Sequence, residues 1–217
     1  MRKMIDSGTI LLYLIFFVGC TNTNKNQDLS IAEFTQGSYG YDASLLKKKT
    51  KQVVELSNRK GAKVLLSADY QGRVMTSSAM GDSGTSFGWL NYDLISSGEK
   101  KKQFNPVGGE ERFWLGPEGG QYALYFQKGD SFSIQHWQVP AIIDTVSYDL
   151  LHADSSVAVF SKKAELTNYA GTRFSIEITR EVSLLDKEGL DQKLNMIIPH
   201  GIKYVAYLSD NTIKNTG

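Results

Sequence analysis

The octapeptide Arg173-Phe174-Ser175-Ile176-Glu177-Ile178-Thr179-Arg180 alternates with period two. Only an extended chain sends successive side chains to opposite faces. Phe174, Ile176 and Ile178 therefore face one way and the charges the other, as in a half-buried strand. Such a strand needs a partner sheet to cover its apolar face, so this element commits the chain to layered β structure.

The rest of the body agrees. Gln52–Leu56 and Ala62–Leu66 flank Asn58–Gly61, a hairpin signal. Arg73–Thr76 follows Tyr70-Gln71-Gly72, and strands are predicted over Tyr122–Phe126 and Ser131–Ile134. A long pair spans Thr145–His152 and Ser156–Glu165, turning at Ala153-Asp154-Ser155, and Lys203–Leu208 reads as another strand. Helical signal is thin: one short helix over Asp42–Lys51 with Asp42 as its cap, and one over Gly189–Met196. Frequent turns and few helices predict an all-β fold, an antiparallel β-sandwich. No repeat recurs at a fixed period. Asn211-Thr212-Ile213-Lys214-Asn215-Thr216-Gly217 resembles a strand entering a turn, so the sheet is expected to continue beyond it, leaving the sandwich incomplete.

The amino terminus carries Arg2 and Lys3 before the apolar run Ile10–Val18. That run is too short to span a bilayer, which takes about 20 residues, and has the size of a secretory signal core. It ends in Phe17-Val18-Gly19-Cys20, which resembles a bacterial lipobox, although Phe17 and Asp6 depart from the usual pattern. Residues 1–19 are expected to be a lipoprotein signal peptide and Cys20, the only cysteine, the lipidated residue. An uncleaved membrane anchor is the alternative. Thr21–Asp28 is polar and low in complexity, so residues 20–34 read as the lipidated cysteine and a flexible tether, and 35–217 as the sandwich domain. The expected place is the cell envelope, lipid-anchored on the periplasmic or outer-membrane side.

Removing residues 1–19 lowers Lys plus Arg from 24 to 22 and Asp plus Glu from 23 to 22. A formally neutral chain has no electrostatic basis for holding nucleic acid. Lys47-Lys48-Lys49 and Lys100-Lys101-Lys102 read as solvated faces. One cysteine supplies no disulfide, so stability must come from a core, which 41% apolar content can build.

Val107–Gln121, V-G-G-E-E-R-F-W-L-G-P-E-G-G-Q, combines tight-turn glycines with charges and a Phe-Trp pair. It admits two readings. As a binding element, Arg112 would fork onto hydroxyls or a carboxylate, Trp114 would offer a ring to a pyranose, and Glu118 would accept hydroxyl hydrogens. As structure, Phe113, Trp114 and Leu115 would plug the sandwich, with Arg112 paired to Glu110 or Glu118. Arg73 could line the same cleft or pair on the surface, the latter being favoured, and Trp89 and Trp137 are assigned to the core. No His or Cys cluster has metal-ligand spacing, and no cofactor motif is present.

Val53–Ser77, Gly108–Gln121 and Asn168–Leu185 together resemble the galactose-mutarotase-like superfamily, a twisted antiparallel supersandwich. G-G-E-E-R-F-W-L-G-P-E-G-G-Q with the later W-Q-V-P is closer still to DUF6786, an uncharacterised bacterial lipoprotein family, over residues 35–217. The resemblance implies a saccharide ligand and a domain that runs past residue 217. Mutarotases use a His acid and a Glu base. His136, His152 and His200 are the histidines present, of which His136 is the weak catalytic candidate, and no Glu is placed opposite it by spacing. Two functions stay open: a carbohydrate-binding, aldose-epimerase-like envelope lipoprotein, or a non-catalytic structural lipoprotein. The anchor is tested by fractionation. Cys20→Ala should release the protein from the membrane and leave the precursor mass unprocessed, and an unchanged mass and membrane fraction would refute lipidation.

Overall fold

In the computed structural model the described residues are 33–217. The signal segment, Cys20 and most of the tether lie outside them. The fold is antiparallel β with few helices. A first sheet holds β1 (Val53–Ser57), β2 (Lys63–Ser67) and β3 (Arg73–Ser78) in the order β1-β2-β3. A second holds β6 (Asp149–Ala153), β7 (Val157–Thr167), β8 (Arg173–Leu184) and β9 (Tyr207–Asn215) in sequence order, every pairing antiparallel. Between them in the chain, the two-residue strands β4 (Trp89–Leu90) and β5 (Gly108–Gly109) pair with each other.

The hairpin turns follow from their side chains. Asn58 Oδ1 accepts from the N–H of Lys60 at 2.9 Å and of Ala62 at 3.1 Å, closing the β1–β2 turn. Asp154 Oδ1 does the same between β6 and β7, accepting from Ser156 N at 2.7 Å and Val157 N at 2.9 Å. Short polar side chains of this kind satisfy turn donors that no ladder reaches.

The two sheets share one core. Val54, Leu56, Val64, Leu66 and Val74 of the first meet Ala158, Phe160, Ile176, Ile178 and Val182 of the second. Gly72, at φ +64°, abuts the Phe160 ring, and a Cβ there would come within 2.6 Å of it. Full burial of a phenylalanine side chain contributes roughly 1.5–3 kcal/mol, and Phe160 is wholly buried. The other face of the first sheet is covered too. Leu65 and Met75 pack there against Tyr39, Ala43 and Leu46 of α1 (Tyr39–Lys49) and Leu94 and Ile95 of α2 (Tyr92–Ser97). Every residue of β3 is consequently buried.

Several expectations are corrected in detail. The first helix begins three residues before Asp42, capped by Ser38, whose hydroxyl accepts from Tyr41 N at 3.4 Å. Asp42 is buried instead and accepts from Tyr92 OH at 2.7 Å and from Ser86. The third helix, α3 (Lys187–Leu194), starts at Asp186, whose Oδ1 accepts from Gly189 N at 2.8 Å. Tyr122–Phe126 and Ser131–Ile134 are turns, not strands. Their apolar side chains pack as aromatic contacts, whereas their backbone bonds go to turns such as Ala123 N to Gly120 O at 3.0 Å. The last strand runs over Tyr207–Asn215 rather than Lys203–Leu208, and its outer edge has no strand beside it among the described residues. Trp89 is 63% exposed rather than in the core, because β4 lies outside both sheets.

Candidate functional site

Glycine sets the path of the Val107–Gln121 run. Gly109 holds φ +110°, and a Cβ there would lie 2.7 Å from Arg73 Cδ and 3.0 Å from Val74 O. The backbone thus passes close over β3, and Glu110 N donates to Val74 O at 2.9 Å. From that crossing the next three side chains reach β3, β8, β9 and the turn at Ile143 and Asp144.

Glu110 Oε2 accepts from Ser77 Oγ of β3 at 2.9 Å and from Tyr207 OH of β9 at 3.2 Å. Burial pushes its carboxyl above the usual range, and the two hydroxyl donors pull it part of the way back. Glu111 pairs with Arg180 of β8 and accepts from Ser209 Oγ of β9 at 3.2 Å. Arg112 donates to Ile143 O at 2.6 Å and to Asp144 Oδ1 at 3.1 Å. The run therefore ties the first sheet, the second sheet and the turn after Ala141–Ile143 together.

Arg112 does not pair with Glu110 or Glu118. Its guanidinium lies 4.2 Å from the Trp114 ring centroid and 5.0 Å from that of Phe104. Trp114 also packs on Tyr125, with centroids 5.6 Å apart, and its Nε1–H donates to exposed Glu118 Oε1 at 2.7 Å. Tyr125 continues the stack onto Trp137 at 5.6 Å and nearly parallel, 14° between planes. Trp137 is partly buried against the core. The assigned ligand groups Arg112, Trp114 and Glu118 thus pack and hydrogen-bond with protein partners, although Arg112 Nε is buried without one.

Arg73 is 2% exposed, not on the surface, since both faces of β3 are covered. Its Nη1 donates to Gly108 O at 2.8 Å and Nη2 to Gln71 Oε1 at 3.2 Å. Burial, reinforced by the charge of Arg112, presses its guanidinium down to about 9, so it is still charged at neutral pH. Arg180, expected with the charges on the outward face of its strand, is instead wholly buried and pairs with Glu111. The signal was its parity: it falls two residues after Ile178, on the same face as Ile176 and Ile178, so the alternation itself places it inward.

A broad concavity lies behind this stack. A cleft of about 1000 Å³ is walled by Phe104, Phe126 and Trp137 on its apolar side. His136 also lines it, exposed, with Nδ1 3.1 Å from Ser131 Oγ. Arg112, Trp114, Glu118 and Arg73 do not line it. Arg112 and Trp114 support it through Phe104 and Tyr125. Lys101 and Lys102, read as part of a solvated cluster, stand at its rim, and no local sequence pattern marks that placement. Among the described residues no group of three His, Cys, Asp or Glu could hold a metal ion.

The model of a family of unknown function (DUF6786) matches residues 37–217. The chain belongs to that family. No curated protein matches it, and no solved structure does. The DUF6786 domain therefore includes every strand described above, and its G-G-E-E-R run sits where the sheets are joined.

The two readings of the run now predict different outcomes for stability. Arg112→Ala leaves the buried Asp144 carboxylate without its cation, and loss of one partner of a buried pair costs about 3–5 kcal/mol. Glu118→Ala, at an exposed residue, should cost no more than about 0.5 kcal/mol. Urea denaturation of the two variants measures both. Near-equal midpoints would remove the structural role of Arg112.

Proposed function

We propose that this protein is a carbohydrate-binding lipoprotein of the cell envelope, anchored through Cys20 and taking its ligand in the cleft beside Trp137. One observation carries the reading: rings and planar amides border the same concavity. Phe126 and Trp137 supply apolar surface, and Gln127, Gln135 and Gln138 supply exposed amides that both donate and accept. Saccharides need that pair of features, because each ring has an apolar C–H face and a rim of hydroxyls that donate and accept together. The resemblance of the chain to galactose-mutarotase-like sandwiches points to the same ligand class.

Binding is better supported than ring-opening chemistry. An epimerase needs an acid and a base positioned together. His136 is held by Ser131, and among the described residues no carboxylate is within hydrogen-bond reach of it. Arg112 and Trp114 enter this proposal as the supporting wall, and Arg73 as the group that fixes the Gly108 turn.

A ligand that binds only the folded state raises stability, by about 2.7 kcal/mol at a hundredfold excess over Kd. A thermal-shift screen of the full chain against oligosaccharides should find a ligand that raises Tm in a saturable way. His136→Ala should weaken that ligand about tenfold with the ligand-free Tm unchanged. A screen in which no saccharide moves Tm or quenches tryptophan fluorescence would overturn the proposal.

A further inference from the structure

The cleft is also charged. Lys101, Lys102 and Lys128 border it, against a single carboxylate, Asp130. The excess is local, since the whole chain carries only +1. Asp130 is committed, with Oδ2 accepting from Gln127 N at 3.0 Å. None of the three lysines is ion-paired among the described residues, whereas Lys47, Lys63, Lys162 and Lys187 all are.

These cations come from separate segments, and the fold holds the segments together. Asn105 Nδ2 donates to Lys101 O at 2.9 Å, and Lys101 N donates to Asn105 Oδ1 at 2.7 Å. Gln103 Nε2 reaches across to Ile134 O at 2.6 Å and Trp137 O at 3.0 Å, and Val139 N donates to Gln103 O at 2.9 Å. The 101–103 backbone is thus pinned along the segment that carries His136 and Trp137. Lys128 lines the same cleft from the turn that Asp130 closes. Three exposed lysines against the one carboxylate of Asp130 leave the cleft with a net positive charge, so the field over its aromatic wall is positive.

We propose that the cleft selects acidic saccharides, sugar rings bearing a carboxylate or sulfate, over neutral ones. This rests on the saccharide reading above and adds the charge of the ligand to it. The aromatic wall takes the ring face, and the lysines meet the anionic substituent. Ammonium groups act as point charges without the planar demand of a guanidinium, so they accept a carboxylate or a sulfate on different ring positions.

Matched ligand pairs test it by calorimetry on the full chain. One pair is an oligogalacturonate and its methyl ester. The other is a sulfated oligosaccharide and its desulfated form. At about 50 mM salt the acidic member of at least one pair should bind about tenfold more tightly than its neutral partner, and the ratio should fall towards one at about 500 mM as screening shortens. The two pairs separate carboxylate from sulfate. The combined variant Lys101→Gln, Lys102→Gln, Lys128→Gln should keep its Tm and its neutral-ligand affinity and lose the preference. Equal affinities within both pairs, or a preference that survives in the triple variant, would overturn the inference and leave saccharide binding standing. Absence of binding by any member would remove the saccharide reading and this inference with it.

Discussion

Arg180 has no water to turn to. Its side chain is wholly buried on the inner face of β8, among Ile178 and Val182. A guanidinium in that position must be met by a carboxylate, because an unpaired buried charge is among the most destabilising things a core can hold. Glu111 meets it, and Glu111 arrives only because Gly108 and Gly109 carry the chain over β3. The ion pair therefore dictates where the G-G-E-E-R run crosses. That crossing sets Glu110 between Ser77 and Tyr207, and it sets Arg112 on Asp144. Strands far apart in sequence are locked by Glu110 and Glu111, and Arg112 adds the turn at Ile143 and Asp144. Phe113, whose ring lies 5.8 Å from the Arg180 guanidinium, seals the pair on one side.

The support then passes outward through rings. Arg112 rests on Trp114, Trp114 on Tyr125, and Tyr125 on Trp137. Only the last of these borders the cleft together with Tyr125. The densest sequence motif is thus one layer removed from the surface where a ligand would sit. Such a motif carries charges and rings together because it supports the cleft wall from behind. Its charges are spent on architecture, and its aromatic rings transmit position to the cleft wall.

Strand content was legible because period-two alternation and Asn or Asp turns act locally. β1, β2, β3, β7 and β8 fall within a few residues of their expected places for that reason. Tyr122–Phe126 and Ser131–Ile134 misled because an apolar run shows only that side chains are buried, not what the backbone bonds to. Arg73 misled in the opposite sense: a charged residue beside a turn reads as surface until a helix is seen to cover the second face of its sheet. Arg180 was readable from parity. The partner of Arg112 was not, since Asp144 lies 32 residues on and no spacing rule joins them. The lysine rim of the cleft was also hidden, because Lys101–Lys102 and Lys128 lie on separate segments that come together only in the folded cleft.

The claim at the centre is that the Glu111–Arg180 pair ties the run to the second sheet and, through the neighbouring Glu110 bonds to Val74 and Ser77, couples that sheet to the first. A double-mutant cycle in urea with Glu111→Gln, Arg180→Met and the combined variant tests it. Each single change should cost about 3–5 kcal/mol. The double variant should cost less than their sum by about 1–3 kcal/mol, because removing both partners leaves no orphaned charge. Strictly additive losses, or singles that each cost under about 0.5 kcal/mol, would show that the sheets are held by their apolar core alone and that the run is not the strap between them.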